Sequence, residues 1–234
     1  GLPRPAAVLN LGGMANVTYL AENAAPLAFD TGPANALLDG LAQALLGRAY
    51  DEDGAMAARG RVSEALLAEL LGHPFFDRNP PKSTGRDTFG AGYVRAVFGR
   101  GEALGLGPAD VLATGTALVA ESVAAAIARW LPARPRRLVL CGGGARNRAL
   151  FAELQRRTGI ATESSQAHGL APEAREATFF AHLAVRCVLA RPSTEPSVTG
   201  ARHGGILGKL SLPPSARAGP DSAQAPGSQA QIPG

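Results

Sequence analysis

The chain has 234 residues, 46% apolar, 18% charged and only 5% aromatic. That length and balance suit a soluble α/β protein of one large domain, or one domain and a fraction, and exclude extensive disorder up to about residue 213. The net charge of +4 comes from scattered arginines, the densest group being Arg134, Arg136 and Arg137 beside prolines. A nucleic-acid surface needs tighter clustering and aromatic platforms, so no nucleic-acid partner is expected.

Three short apolar runs open the chain: Val8 to Leu11, Val17 to Leu20, and Leu27 to Phe29. Gly12-Gly13 separates the first two, and Asp30-Thr31-Gly32-Pro33 follows the third. Short strands with tight turns predict an antiparallel meander. Leu37, Leu38, Leu41, Leu45 and Leu46 then fall on one helical face, and Gly47 is a natural stop. The pattern predicts further helices over 53–59 and 64–71, the latter capped by Ser63. Pro74, Pro80 and Pro81 mark a loop.

A long helical pattern runs from Pro108 to Leu131, with Pro108 at its first position and Asp110 in its first turn. Leu138 to Cys141 is a buried strand that ends in Gly142-Gly143-Gly144. A helix from about Asn147 to Arg157 follows, closed by Gly159, then a short strand over Ile160 to Thr162. The last helix starts near Pro172-Glu173 and ends before Pro192. Residues 214–234, rich in Pro, Ser, Ala, Gln and Gly, read as a disordered tail.

Cys141 and Cys187 lie in apolar runs with no CxxC or His/Cys spacing that suggests zinc. They read as buried free thiols in a reducing, cytoplasmic setting. No apolar stretch is read as reaching the roughly 18 residues of a membrane span, and no signal peptide is visible. The chain opens on Gly1 and enters a strand within a few residues, which reads as a cut start. His73, His168, His182 and His203 lie far apart and read as structural or surface residues, and no metal ligands are assigned.

Several segments carry possible chemistry. Gly12, Gly13 and Asn16 follow the first strand: glycine lets backbone N–H groups approach an anion, or simply makes a tight hairpin. Asp30 stands at a strand end ahead of a helix. It suits a general base, or equally a helix cap. Gly142, Gly143 and Gly144 clear side chains where a flat ligand or a phosphate would lie, and Asn147 offers a donor and an acceptor. Consecutive glycines without Gly-Lys-Ser/Thr match neither a dinucleotide fingerprint nor a P-loop. Pro81-Lys82-Ser83-Thr84-Gly85-Arg86-Asp87 is a basic polar loop that either meets a sugar or phosphate or is merely solvated.

Leu-Asn-Leu-Gly-Gly-Met-Ala-Asn-Val-Thr, Phe-Asp-Thr-Gly-Pro-Ala-Asn, Pro-Lys-Ser-Thr-Gly-Arg-Asp, Leu-Cys-Gly-Gly-Gly-Ala-Arg-Asn and Pro-Ser-Val-Thr-Gly-Ala occur in that order. This series resembles the anhydro-N-acetylmuramic acid kinases from near residue 8 to near residue 213. The resemblance implies an α/β fold, the ribonuclease-H-like lobe of the actin/hexokinase superfamily. Residues 1–213 would be the C-terminal part of an incomplete bilobal kinase, without the N-terminal loop that grips ATP phosphates. It implies ATP and Mg²⁺ as cofactors and 1,6-anhydro-N-acetylmuramic acid as substrate, opened by water and phosphorylated on O6 in peptidoglycan recycling, with a homodimer as the assembly. Asp30 matches the family's catalytic carboxylate, and Gly12, Gly13, Asn16, Gly142, Gly143, Gly144 and Asn147 would hold nucleotide. Thr31 and Gly32 would shape the turn carrying the base, and Glu176 would contact sugar. The chain alone is expected to be inactive. Two other readings are a non-catalytic nucleotide- or muramyl-sugar-binding module and another sugar kinase of the superfamily.

Overall fold

The computed structural model describes residues 2–211, and the tail predicted from residue 214 lies outside them. Among the described residues, five strands form one sheet: β1 (Ala6–Leu11), β2 (Met14–Leu20), β3 (Leu27–Pro33), β4 (Arg137–Cys141) and β5 (Ala161–Ser164). The order is β3-β2-β1-β4-β5. The first three strands are an antiparallel meander, and β4 and β5 add parallel to β1. The helices are α1 (Asn35–Leu46), α2 (Glu64–Leu71), α3 (Arg86–Phe89), α4 (Ala91–Ala103), α5 (Pro108–Trp130), α6 (Arg148–Thr158), α7 (Arg175–Val188) and α8 (Pro196–Thr199).

Alternation along the strands divides the sheet into two faces. Leu9, Leu11, Ala15, Val17, Phe29, Leu138 and Leu140 face one way. They are buried with Val119, Val123 and Ile127 of α5 and Leu150 and Leu154 of α6. Each large aliphatic side chain buried here contributes about 1.5–3 kcal/mol. Asn10, Asn16 and Asp30 take the alternate positions, so the polar residues of the early motifs share the opposite face. A second apolar cluster joins α1, α2, α4 and α5 through Leu37, Leu41, Leu66, Leu70, Val94, Val97, Val111 and Leu118.

The helix ends follow the local chemistry. Gly47 and Gly159 close α1 and α6 in the left-handed conformation. Ser63 Oγ accepts from the Leu66 amide at 3.3 Å at the start of α2. Pro108 opens α5, as its pre-set φ favours. Contrary to the sequence reading, α5 is long and apolar enough by length and composition to cross a membrane. It is instead the core helix, with 78% of its apolar window buried.

Four other expectations change. The helix predicted over 53–59 is two short 3-10 turns, Glu52–Gly54 and Ala57–Arg59. The Asp51 carboxylate accepts from the amides of Met56 and Ala57 at 2.9 Å each, so a side chain satisfies donors that a helix would have used. Strand β3 runs through Pro33, so Asp30, Thr31 and Gly32 are strand residues and not a turn. Helix α3 takes in Arg86 and Asp87, which the sequence reading placed in a loop, and α4 occupies a stretch that it left unassigned. Gly90, Gly92, Gly99 and Gly101 mask its periodicity. Gly101 is there for packing: a Cβ would sit 2.6 Å from Val111 on α5. Finally, Cys141 is buried and Cys187 only half-buried, neither in a disulfide. On α7, Phe179, Phe180, Val185 and Val188 are exposed.

Candidate active site

Asp30 lies on the polar face of the sheet and is held from one side by a single loop. Its amide donates to Lys82 O at 3.0 Å, and its carboxylate Oδ2 accepts from the Thr84 amide at 2.8 Å. Asp30 therefore does not cap α1; Ala34 is the residue before that helix, and no side chain caps it. The basic polar loop, for which the sequence left two readings open, turns out to wrap the carboxylate. Asp30, Asn16, Ala28, Lys82 and Ser83 line a hollow of about 330 Å³, with Val198 of the Pro-Ser-Val-Thr segment at its edge. That segment is pinned by Ser197 Oγ, which donates to Pro26 O at 3.0 Å.

From Asp30 a row of cross-strand neighbours leads across the sheet. Asp30 pairs with Asn16, Asn16 with Asn10, and Asn10 with Cys141, immediately before the glycine turn. The row takes one residue from each of four strands and links the carboxylate to Gly142.

The glycine turn has its own reasons for being glycine. Gly142 has φ +82°, and a Cβ there would sit 2.8 Å from Leu11 O and from Asn10 Oδ1. At Gly144 a Cβ would meet Leu11 Cβ at 2.7 Å and Asn35 Oδ1 at 2.9 Å. Gly143 differs, since its nearest neighbour would be Asn35 Nδ2 at 3.5 Å, and it is exposed. Asn147 caps α6, with Oδ1 accepting from the Leu150 amide at 2.9 Å. That use takes the acceptor which the sequence reading offered to a ligand.

Gly12 and Gly13 face the same region. Their carbonyls accept from Ala34, Asn35 and Ala36 at the start of α1, each at 3.0 Å. Asn35 Nδ2 donates to Leu11 O at 3.1 Å, which joins the hairpin to α1. A groove of about 360 Å³ lies over Gly143, Gly144, Asn147 and Asp51. A second, of about 700 Å³, lies over Gly12, Gly13 and Arg86. Asn35 and Asp39 line both. Desolvation raises the Asp39 carboxyl above the usual carboxylate range, while the Arg86 charge pulls it back.

Three predicted residues do not join these surfaces. Thr31 is buried on the core face, its hydroxyl donating to Ala15 O at 3.3 Å. Gly32 packs against α5 and the 75–76 turn, where a Cβ would sit 2.8 Å from the Phe76 ring. Glu176 is exposed in the first turn of α7 and does not line the Asp30 hollow. Conversely, Asn10, Asn35, Asp39 and Thr84 were not singled out as site residues. Their roles come from register and long-range contacts, although Asn10, Asn35 and Thr84 sit inside the quoted motifs.

The sheet order, with an antiparallel meander continued by two parallel strands and helices packed on it, defines the class as an α/β fold with one mixed sheet. The family model "Anhydro-N-acetylmuramic acid kinase" matches residues 2–213. The chain belongs to that family. It is 48% identical over 205 residues to an anhydro-N-acetylmuramic acid kinase of Xanthomonas campestris pv. campestris (strain 8004), covering 87% of this chain and 53% of the relative. A relative of the same name from Rhodospirillum rubrum is 46% identical over 202 residues, covering 86% of this chain and 51% of the relative. The chain thus spans about half the length of the curated relatives it matches. Among solved structures, an activator of 2-hydroxyisocaproyl-CoA dehydratase from Clostridium difficile with bound ADPNP aligns with a TM-score of 0.48. The identity is 17%, over 74% of this chain and 57% of that one, too slight a likeness to carry an argument.

Proposed function

We propose that the chain supplies one wall of a kinase site that opens 1,6-anhydro-N-acetylmuramic acid with water and phosphorylates the freed O6. The single observation that carries this reading is the position of Asp30: a carboxylate in an open hollow, aimed by the Thr84 amide, and joined by a polar row to a glycine turn. In this reading Asp30 takes a proton from a water as the water oxygen bonds to the anomeric carbon. The bond from that carbon to O6 breaks, O6 would then bond to the γ-phosphorus of ATP, and the bond from that phosphorus to the bridging oxygen would break to release ADP. Asn16 shares the hollow and orients the sugar or the water. Positioning and charge stabilisation do most of the work in phosphoryl transfer, so a fixed frame of this kind is what the chemistry asks for.

The two grooves that share Asn35 and Asp39, one over Gly143 and one over Gly13, together fit a nucleotide. The exposed Gly143 leaves room where a side chain would intrude, and α1 takes the carbonyls of Gly12 and Gly13. The N–H groups of the hairpin turn are then what it presents to phosphates. ATP, when bound, supplies the phosphoryl group. Among the described residues no group of three or more His, Cys, Asp or Glu side chains is placed to hold a metal. Mg²⁺ in this reading comes with the phosphates and one or two carboxylates, as it commonly does in kinases.

Because the chain spans about half of its relatives, we place the closure that excludes water in the remaining length. The test is a phosphorylation assay with ATP, Mg²⁺ and the anhydro sugar, on the chain alone and mixed with the other half of a curated relative. Turnover in the mixture and none in the mixture made with Asp30→Asn supports the reading. Sugar or nucleotide binding with no turnover in any mixture favours a binding module instead.

A further inference from the structure

We infer that Lys82 is a positioning residue for Asp30: its buried ammonium clamps the 82–84 segment to the 75–76 turn, and the clamp fixes the carboxylate. The inference rests on the reading of Asp30 as the base. Lys82 is 5% exposed. Its Nζ donates to Phe75 O at 3.3 Å and to Phe76 O at 3.2 Å, and lies 4.7 Å from the centroid of the Phe75 ring. An ammonium has three donors. Two go to carbonyls, and the charge faces an aromatic ring.

Among the described residues no carboxylate pairs with Lys82. Burial pushes its ammonium below the ordinary lysine value, the charges of Arg129 and Arg78 add to this, and Asp77 opposes it. A cation held this way is costly, and a Met side chain of similar length would fill the space without that cost. What the ammonium contributes is geometry.

The main chain of the same segment works in the other direction. Lys82 O accepts the Asp30 amide at 3.0 Å, and two residues later the Thr84 amide holds Oδ2 at 2.8 Å. Lys82 therefore grips the turn with its side chain and β3 with its backbone. The turn is itself rigidly seated: the Phe75 and Phe76 rings contact Phe89, with centroids 5.5 and 5.9 Å apart, and Phe89 contacts Tyr93 at 4.9 Å. The path runs from the aromatic cluster, through the ammonium, to the catalytic carboxylate.

The test is amide hydrogen exchange on the chain and its Lys82→Met variant. The amides of Asp30 and Thr84 should lose protection by about tenfold or more, while Leu9 and Leu140 in the central strands keep theirs. In the two-part assay, kcat should fall by about a hundredfold with the sugar KM nearly unchanged, since misplacement of a reacting group acts on the chemical step. Unchanged protection at Asp30 and Thr84, or equal loss throughout the sheet, overturns the inference. Should the variant not fold, the unsubstituted chain in mild denaturant decides. Asp30 and Thr84 must then open in one step, and separate openings contradict the clamp. Exchange is read without turnover, so a failed clamp and a failed kinase reading are told apart.

Discussion

The Asp30 hollow and the glycine turn after β4 are joined by one cross-strand row of the sheet and are built in opposite ways. In the hollow, a reactive side chain is present and distant backbone groups aim it: the Lys82 carbonyl and the Thr84 amide, more than fifty residues away in sequence. At the turn, side chains are absent, and at two of the three glycines, Gly142 and Gly144, the protein's own packing against Leu11, Asn10 and Asn35 requires this. A run of glycines beside a strand thus reports close approach within the fold as much as room for a ligand. Gly143 alone of the three has space around it.

The largest effect belongs to the hollow. Asp30→Asn should lower turnover in the two-part assay by about 10²–10⁴, the range for loss of a general base, and leave thermal unfolding within a few degrees. Activity that survives would move the reacting end elsewhere. The next contrast divides the glycines. Gly142→Ala combines a positive φ with overpacking against Leu11 and should cost roughly 2–4 kcal/mol in urea unfolding. Gly143→Ala should stay within about 0.5 kcal/mol and weaken nucleotide binding instead. Equal destabilisation by the two would erase the distinction between packing glycine and ligand glycine.

Asn147→Ala should cost about 1 kcal/mol through the lost cap of α6, because its Oδ1 is engaged by the Leu150 amide. A loss of nucleotide affinity without a loss of stability would return Asn147 to the ligand. The smallest effect tests the aromatic support of the hollow. The Tyr93 hydroxyl is buried with no hydrogen-bond partner among the described residues, and burial pushes its pKa up to about 12. The folded state therefore holds this proton more tightly than the unfolded chain. The resulting stability is fully present below about pH 10 and is lost as pH rises toward about 12. Tyr93→Phe should remove that slope in unfolding curves and stabilise the fold by up to about 1 kcal/mol.

Much of this frame could be read from the residues. The meander, the leucine face of α1, the Ser63 cap, the Pro108 start of α5 and the Gly159 stop of α6 are local signals, and each appears where sequence places it. Local reading failed where a distant or competing group decides. Asp51 converts a predicted helix into two 3-10 turns, and glycines chosen for contact hide α4. At the site, Asp30, Asn16 and Gly143 were visible as motif residues. The faces on which Thr31 and Gly32 fall depend on β3 continuing through Pro33, and the meeting of Asp30 with Thr84 depends on closing a loop of more than fifty residues. Neither has a local sequence signature.

The central claim is that the hollow and the glycine turn are two ends of one cleft. Its most direct test is an amide-resolved NMR titration of the chain with Mg²⁺ and a non-hydrolysable ATP analogue, followed by the anhydro sugar. The account predicts that nucleotide moves the Gly12, Gly13 and Gly143 signals and that sugar then moves Asn16, Asp30 and Ser83. Saturable shifts confined to other surfaces, or nucleotide and sugar competing for the same amides, would contradict it.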